Sequence, residues 1–351
     1  MFSWLKREKK IDEQNLEFTG RIHYKIIRKI ADGGMGSIYK AKLCGVAGFE
    51  KIVALKTMLP QYAEQHNFVE NFINEAQLVA NLIHENIVQI YMFDQVNGTY
   101  FFVMEFVDGI CLYDLLDFFN RIGMRMDYKL AVFTAGRIAR GLAYAHGRIG
   151  GDGKKLNLVH CDICPHNIMI NSEGVPKLTD FGIAKAGNHN ITGGRVAGKL
   201  AFMSPEQADK QELDFRSDIY SLGVVLFFML SGEMIRNMNG TTAEIILQAR
   251  NNEIPWDKLP PCIDAELRQI LHKMLATNRE ERYNDTAQLA KDLEYYIYKD
   301  GYGPTIVTLA TYIKENMPGA FDAEADGRIG HVAEDDRTQV ISENDSTLVM
   351  K

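Results

Sequence analysis

Cysteine, long apolar runs and an excess of positive charge are all scarce in this 351-residue sequence. Its five cysteines are an odd number scattered through the chain, which indicates reduced thiols and excludes a disulfide framework. The longest apolar run, residues 222–230, is far shorter than the ~20 residues that span a bilayer, and it predicts a buried helix. The formal net charge of −7 gives no reason to expect nucleic acid as a partner. Basic residues follow the apolar ones in the first ten positions, which is not the order of a secretory signal, so we expect a cytoplasmic protein without stable membrane insertion.

The hydrophobic patterning divides the chain into a strand-rich part and a helix-rich part. The strand-like segments are residues 24–30, 37–43, 51–58, 87–93 and 100–106, with one helical pattern near residues 68–83. The later helical segments are residues 128–146, 218–231, 242–251, 264–275, 286–299 and 306–316. A small β-rich lobe followed by a larger helical lobe implies a cleft between them, where ligand sites are preferred.

The last part of the chain, residues 319–351, has eight acidic residues against three basic ones and no apolar periodicity. Such a segment buries too little apolar surface to offset its ordering entropy, which predicts disorder. It contains two copies of the pattern D-x-T-x-V-aliphatic, centred on Thr338 and Thr347. Two interpretations stay open: phosphothreonine docking sites for a phosphopeptide-binding domain, or coincidence.

Two features of the strand-rich part carry chemistry. Residues 31–39, A-D-G-G-M-G-S-I-Y, form a glycine-bearing loop between two predicted strands. Glycines allow backbone N–H groups to approach phosphate oxygens, although such a loop alone is also typical of a hairpin turn. Lys56 lies inside an apolar strand, where its ammonium needs an anionic partner, and Glu75 on the following helix is well placed to provide one.

Two further motifs follow in the second part: residues 160–167, H-C-D-I-C-P-H-N, and residues 180–182, D-F-G. With residues 204–206, S-P-E, this set resembles in order and spacing the protein kinase family, in particular the bacterial eukaryotic-like (Hanks-type) Ser/Thr kinases. The resemblance covers residues 24–298. It implies an α+β fold with a small β-rich N-lobe that carries one prominent helix and a larger, mainly helical C-lobe. The expected organisation is an N-terminal extension (1–20), the N-lobe (21–106), the C-lobe (107–300), a C-terminal helix (301–318) and the acidic tail (319–351).

The resemblance implies roles for individual residues. Lys56, oriented by Glu75, holds the α- and β-phosphates of ATP, and Asp162 accepts the proton of the attacking hydroxyl. Asn167 and Asp180 are the implied Mg²⁺ ligands. The residues implied to bind ATP are Ala31, Gly33, Gly34, Gly36, Ile38, Ala54, Lys56, Met104, Glu105, Val107 and Met169. Supporting roles fall to Asp218, which braces the catalytic loop, and to an Arg282–Glu206 pair.

The chain departs from the family pattern at three important positions. Ala31 replaces the first loop glycine, and Cys161 replaces the arginine that normally meets a phosphate on the activation loop. Cys164 replaces the lysine that normally neutralises the γ-phosphate. We expect Lys199 to restore that charge from the opposite side of the cleft, and the alternative is an ordinary solvated lysine. Cys161 and Cys164 form a C-x-x-C pair, which indicates either incidental substitutions or a redox-sensitive site.

These features predict a Ser/Thr protein kinase that transfers the γ-phosphate of Mg-ATP to protein hydroxyls, its own included. One alternative is a pseudokinase scaffold that binds ATP without transfer, which Cys164 favours and the retained Lys56 and Asp162 disfavour. The other is a small-molecule kinase of related fold. The S-P-E segment disfavours it, because that segment resembles a platform for protein substrates.

Overall fold

The structure, a computed structural model, describes residues 23–32, 36–58, 69, 73, 79–96, 99–150, 153–181 and 200–322. No helix within these ranges is long and apolar enough to cross a membrane. Residues 69, 73 and 79–80, which belong to the helix predicted near 68–83, are helical. The two-lobed α+β fold expected from the sequence is confirmed.

The N-lobe is an antiparallel five-stranded sheet in the order β1-β2-β3-β5-β4. Its strands are β1 His23–Asp32, β2 Ser37–Cys44, β3 Glu50–Thr57, β4 Ile90–Val96 and β5 Thr99–Glu105. Alternation along β3 places Val53 and Leu55 in an apolar cluster, so that Ala54 and Lys56 face the other side of the sheet. The strand alternation read from the sequence therefore fixes which β3 side chains can reach a ligand.

The C-lobe combines a three-stranded sheet, in the order β6-β7-β8, with helices. Its elements are β6 Gly109–Cys111, α1 Leu112–Arg121, α2 Tyr128–His146, β7 Ile168–Asn171, β8 Pro176–Leu178, α3 Pro205–Ala208, α4 Phe215–Ser231, α5 Thr242–Asn251, α6 Ala265–Met274, α7 Thr286–Tyr298 and α8 Ile306–Asn316. Residues 217–231 of α4 are buried on every side, which confirms that the long apolar run is a core helix and not a membrane segment.

Capping residues explain where the helices begin. Asp214 accepts a hydrogen bond from the Arg216 backbone N–H and starts α4 at Phe215, three residues before the predicted start. The sequence did not separate α1 from its surroundings, because this helix follows Cys111, whose side chain makes no capping bond. A helix without a polar cap leaves no start signal in the sequence.

The C-terminal helix α8 has the predicted bounds and buries Leu309, Ala310 and Ile313 against the C-lobe. The tail predicted from residue 319 begins too early. Ala320 is buried and Phe321 packs on the same core, so that residues 319–322 belong to the lobe. These apolar contacts stabilise residues 319–322, although disorder was predicted from the acidic composition of the whole tail. Residues 323–351 lie outside the described ranges.

Candidate active site

Five of the residues predicted to bind ATP lie in register across the N-lobe sheet. Ala31 on β1 is opposite Ile38 on β2, and Ile38 is opposite Lys56 on β3. Ala54 lies two residues before Lys56 on the same face and is opposite Met104 on β5. Directly opposed residues in antiparallel strands share a face. The sheet therefore brings these five predicted residues together on its cleft side.

The connection between the lobes passes through Glu105 and Val107, both half-buried. The Glu105 backbone N–H donates to the Gln89 carbonyl over 2.8 Å, and its carboxylate accepts from Lys177 Nζ at the same distance. The side chain of Glu105 is thereby occupied within the protein. The resemblance assigned the backbone of this connection, and not the Glu105 carboxylate, to the adenine, and the ion pair with Lys177 agrees with that assignment.

The strand β7 forms the C-lobe side of the cleft. Ile168 and Ile170 are fully buried, so Met169 between them points to the opposite face. A Cβ atom on Gly109 would lie 2.1 Å from the Ile170 carbonyl oxygen. The chain leaving the first lobe therefore passes directly over β7, and this contact requires glycine.

Gly36 is required for a reason that the sequence did not reveal. A Cβ atom there would lie 1.6 Å from the carbonyl oxygen of Thr57, the residue after Lys56. The sequence explained this glycine by the approach of phosphate, but a contact with the protein's own backbone already excludes a side chain. Gly33 and Gly34 lie outside the described residues.

An ion pair joins the two lobes across the cleft. Lys56 Nζ lies 2.6 Å from Asp180 Oδ1, with the two side chains 13% and 29% exposed. Asp180 adopts a left-handed backbone conformation, with φ of 54°, which is unusual for a residue with a side chain. The predicted partner of Lys56, Glu75, lies outside the described residues. The lysine and the aspartate that the family uses at the phosphates are thus in direct contact.

Asp162 and Asn167 form the second pair of the site. The Asn167 Nδ2 group donates to the Asp162 carbonyl oxygen over 2.7 Å and to Asp162 Oδ2 over 2.9 Å. Two donated bonds fix the amide orientation of Asn167, which leaves its Oδ1 atom as the acceptor or ligand atom. The carboxylate that the sequence assigned as proton acceptor is therefore held by the residue assigned to the metal.

The backbone next to Asp162 is held by the helical lobe. Asp218 on α4 accepts from the backbone N–H groups of His160 and Cys161, over 2.7 and 2.8 Å. Cys161 has a φ of 64°, and its carbonyl accepts from Gln207 Nε2 over 2.9 Å. Left-handed conformations of non-glycine residues persist only where the surroundings hold them. The backbone N–H and the carbonyl of Cys161 are both hydrogen-bonded in this way. The bonds to Asp218 confirm the bracing position expected for that residue.

The cysteines of the catalytic loop do not replace the missing cation. Cys164 is 1% exposed and belongs to the apolar core. The Cys161 thiol points instead to the Val159 carbonyl, 3.7 Å away. Burial raises the pKa of the neighbouring Cys111 thiol to about 12, so this thiol stays neutral. Lys199, the predicted substitute for the missing charge, lies outside the described residues.

Asn167 and Asp180 fit the metal that the family implies. An amide oxygen and a carboxylate are the hard oxygen ligands that Mg²⁺ prefers. Within the described part of the chain, no group of three or more His, Cys, Asp or Glu side chains could hold a metal ion alone. This agrees with Mg²⁺ chemistry, in which one or two protein ligands act together with substrate phosphates and water.

A buried ion pair anchors the S-P-E segment. Arg282 donates to both carboxylate oxygens of Glu206, over 2.7 and 2.8 Å, and Ser217 Oγ donates to the same carboxylate over 2.7 Å. Burial opposes ionisation of Glu206, but the bonds from Arg282 and Ser217 outweigh it and hold the pKa of this carboxyl below its ordinary value. The pairing expected from the resemblance is present.

Two residues near the site had no role in the sequence analysis. Gln207 follows S-P-E and reaches the catalytic loop, as described above. Arg236 donates to the backbone of residues 200–203. The signal for Arg236 was a lone arginine among apolar neighbours, M-I-R-N-M, which no motif marks.

The chain belongs to the protein kinase domain family, whose model matches residues 24–295. It is 36% identical, over 83% of its length, to tyrosine-protein kinase MasK of Myxococcus xanthus, and this match covers 45% of MasK. It is 34% identical, over 76% of its length, to serine/threonine-protein kinase PknA of Corynebacterium glutamicum, of which 55% is covered. The chain therefore spans about half the length of the curated relatives that it matches.

A solved structure gives the same fold. The Mycobacterium tuberculosis PknI kinase domain superposes with a TM-score of 0.58 at 22% identity, covering 80% of this chain and 96% of that domain. At this identity the likeness concerns the fold alone.

Proposed function

We propose that this chain transfers the γ-phosphate of Mg-ATP to serine and threonine hydroxyls of proteins. The observation that carries the proposal is that two pairs meet at one cleft. Lys56 pairs with Asp180 across the cleft, and Asp162 pairs with Asn167 on its C-lobe side. The backbone N–H of Thr179, the residue before Asp180, donates to the Asn167 carbonyl over 2.8 Å and so joins the two pairs. Phosphoryl transfer depends mainly on positioning and on neutralising charge, and these four side chains supply both. A scaffold that only bound ATP would need Lys56 and Asp180 but would have no need of the Asp162 carboxylate.

Each side chain has a distinct task in the proposed mechanism. Lys56 would bind the α- and β-phosphates of ATP, and Asn167 and Asp180 would hold Mg²⁺, which would neutralise the charge that develops on the transferred phosphate. Asp162, with Oδ2 held by Asn167, receives the proton of the attacking hydroxyl. The backbone bonds to Asp218 and Gln207 keep that carboxylate in place.

Serine and threonine are the proposed acceptors because of the chain's own motifs. Pro165 in the catalytic loop and the S-P-E-Q segment resemble Ser/Thr kinases, and the relative PknA carries that name. Tyrosine is the second candidate acceptor, because the relative MasK is named a tyrosine kinase. The phosphorylated residue type in the product distinguishes the two.

The deciding experiment is phosphate transfer from Mg-ATP to the chain itself and to generic peptides, one with Ser/Thr acceptors and one with Tyr. We expect transfer to the Ser/Thr peptide, which stops when Mg²⁺ is chelated and in the variant Asp162→Asn. Transfer to the Tyr peptide alone would replace the proposed specificity. Nucleotide binding without any transfer would establish a scaffold and make Cys164 the residue to explain.

Lys199 is proposed to supply the positive charge that Cys164 lacks. The variant Lys199→Ala is then expected to lower kcat about a hundredfold, the scale on which one group that stabilises transition-state charge acts, and to change the KM for ATP little. Lys291→Ala, at an exposed position on α7, is the matched control with unchanged kcat. Near-full turnover of the Lys199 variant would assign that residue to the solvated alternative.

Thr338 and Thr347 are proposed as self-phosphorylated docking sites for a phosphothreonine-binding domain. Incubation with Mg-ATP is expected to add two phosphates that the double variant Thr338→Ala/Thr347→Ala does not acquire, as read by intact-mass spectrometry. Ser342→Ala, in the same acidic segment, is the control that retains both. Phosphates that persist in the double variant would place the modification elsewhere. We also propose a cytoplasmic location, which the odd number of cysteines scattered along the chain supports.

A further inference from the structure

Arg236 is a buried arginine that binds a short backbone segment rather than an acidic side chain. It lies in the loop between α4 and α5, and the residue is 3% exposed. Nη1 donates to the carbonyls of Leu200 and Ala201, over 2.6 and 2.8 Å, and Nη2 donates to the carbonyl of Met203. One guanidinium therefore holds three of the four carbonyls in residues 200–203.

Within the described part of the chain, Arg236 has no carboxylate partner. Its remaining acceptor is Tyr220 Oη, 3.3 Å from Nη2, and burial lowers the pKa of the guanidinium. Arg282, buried to a similar degree, has Glu206 as its counter-ion. A buried cation that is stabilised only by neutral oxygens is unfavourable unless all of those contacts are made. The position of residues 200–203 is therefore tied to that of Arg236.

The same segment is joined to the catalytic loop. It ends at Ser204, which caps α3, and the Ser204 backbone N–H donates to Gln207 Oε1 over 2.9 Å. Through Nε2, the Gln207 side chain donates to the carbonyl of Cys161, the residue before Asp162. Arg236 is thus connected, through residues 203–207, to the carbonyl of the residue that precedes Asp162.

We propose that Arg236 is a positioning residue for the protein substrate. By fixing the backbone of residues 200–203 relative to Asp162, it sets the surface on which the acceptor polypeptide lies. The inference rests on the proposed function, and on the resemblance of the S-P-E segment to a protein-substrate platform. None of the hydrogen bonds of Arg236 reaches a residue assigned to ATP, so its effect falls on the protein substrate and not on the nucleotide.

Steady-state kinetics of Arg236→Lys test this role. Lysine keeps the positive charge but its single ammonium cannot span three carbonyls in the guanidinium geometry. We expect the KM for a protein substrate to rise about tenfold, on the scale of lost hydrogen bonds to a charged donor, with the KM for ATP unchanged. An unchanged KM for the protein substrate, or an equal rise in both constants, would overturn the proposal.

Arg268→Met is the matched control. Arg268 also donates to backbone carbonyls of the C-lobe, those of Ile263 and Pro260, over 3.0 and 3.3 Å, but away from the cleft. Loss of these bonds perturbs the lobe without touching residues 200–203. The KM for the protein substrate is expected to stay at the wild-type value in this variant.

Hydrogen–deuterium exchange separates this inference from the proposed function, because it needs no phosphate transfer. Amides of residues 200–207 are expected to exchange faster in Arg236→Lys than in wild type or in Arg268→Met. Exchange that is unchanged in Arg236→Lys would overturn the positioning role, even in an active enzyme. If the wild type transfers no phosphate, faster exchange still supports the structural link from Arg236 to residues 200–207, while the catalytic assignment fails independently.

Discussion

Asp162→Asn is expected to lower phosphate transfer about a thousandfold, within the range by which a positioned general base accelerates a reaction. The substitution removes the carboxylate that is proposed to accept the proton. An asparagine oxygen at this position can still accept from Asn167 Nδ2, and the backbone bonds of the neighbouring Cys161 to Asp218 and Gln207 remain. The geometry of the loop is therefore retained while its base is lost.

The affinity for Mg-ATP shows whether the Asp162→Asn variant keeps an intact nucleotide site. The Lys56–Asp180 ion pair does not need the Asp162 carboxylate for its own contact, so the variant is expected to bind Mg-ATP with wild-type affinity. Asp257→Asn makes the same chemical change at an exposed C-lobe position and should leave transfer unaffected. Transfer by Asp162→Asn at more than about a tenth of the wild-type rate would mean that Asp162 is not the base.

Glu206→Gln is expected to lower the free energy of unfolding by about 3–5 kcal/mol, the scale for breaking a buried ion pair on one side. Arg282 is 1% exposed and would keep its charge without a counter-ion. Glutamine retains one acceptor oxygen, so the loss comes mainly from the missing charge. Chemical denaturation, followed by tryptophan fluorescence, measures it.

An exposed pair in the same lobe provides the control. Glu280 binds Arg216 over 2.6 Å with its side chain 64% exposed, and Glu280→Gln is expected to change stability by about 1 kcal/mol or less. Equal losses in the two variants would show that burial does not strengthen the Glu206–Arg282 pair.

The pH dependence of this pair has a definite sign. The folded-state pKa of Glu206 lies below its ordinary value, so its stabilising contribution is full above that ordinary value. It declines as the pH falls through the lower, folded-state pKa. The stability difference between wild type and Glu206→Gln should therefore shrink in acid.

The sequence predicted the fold well where a periodic pattern coincided with a capping residue. Helices α2, α5, α7 and α8 show such agreement. Four strands of the N-lobe lie within two residues of their predicted bounds, whereas β4, predicted over 87–93, begins and ends three residues later. The exceptions have local causes: α1 has no polar cap, and α4 starts at a cap, Asp214, that lies outside the apolar run. Residues 319–322 pack on the lobe through apolar side chains that a composition average over the tail concealed.

The site was predictable to the extent that its residues belong to motifs. Asp162, Asn167 and Asp180 lie where the resemblance placed them, whereas the contact of Lys56 with Asp180 needed the fold to become visible. Arg236 was missed because its partners are backbone carbonyls, which carry no residue identity. The spacing of residues in a sequence indicates which side chains belong to a motif, but it does not show which backbone groups those side chains bind.

Gly36 has a consequence for how inactive relatives of such a chain are recognised. Its missing Cβ makes room for the Thr57 carbonyl, and that requirement comes from the sheet itself, whether or not a nucleotide ever binds. A descendant that had ceased to catalyse would still be selected to keep glycine at this position. Persistence of that glycine is thus a poor diagnostic of activity, and loss of Asp162 or Asp180 is the informative event.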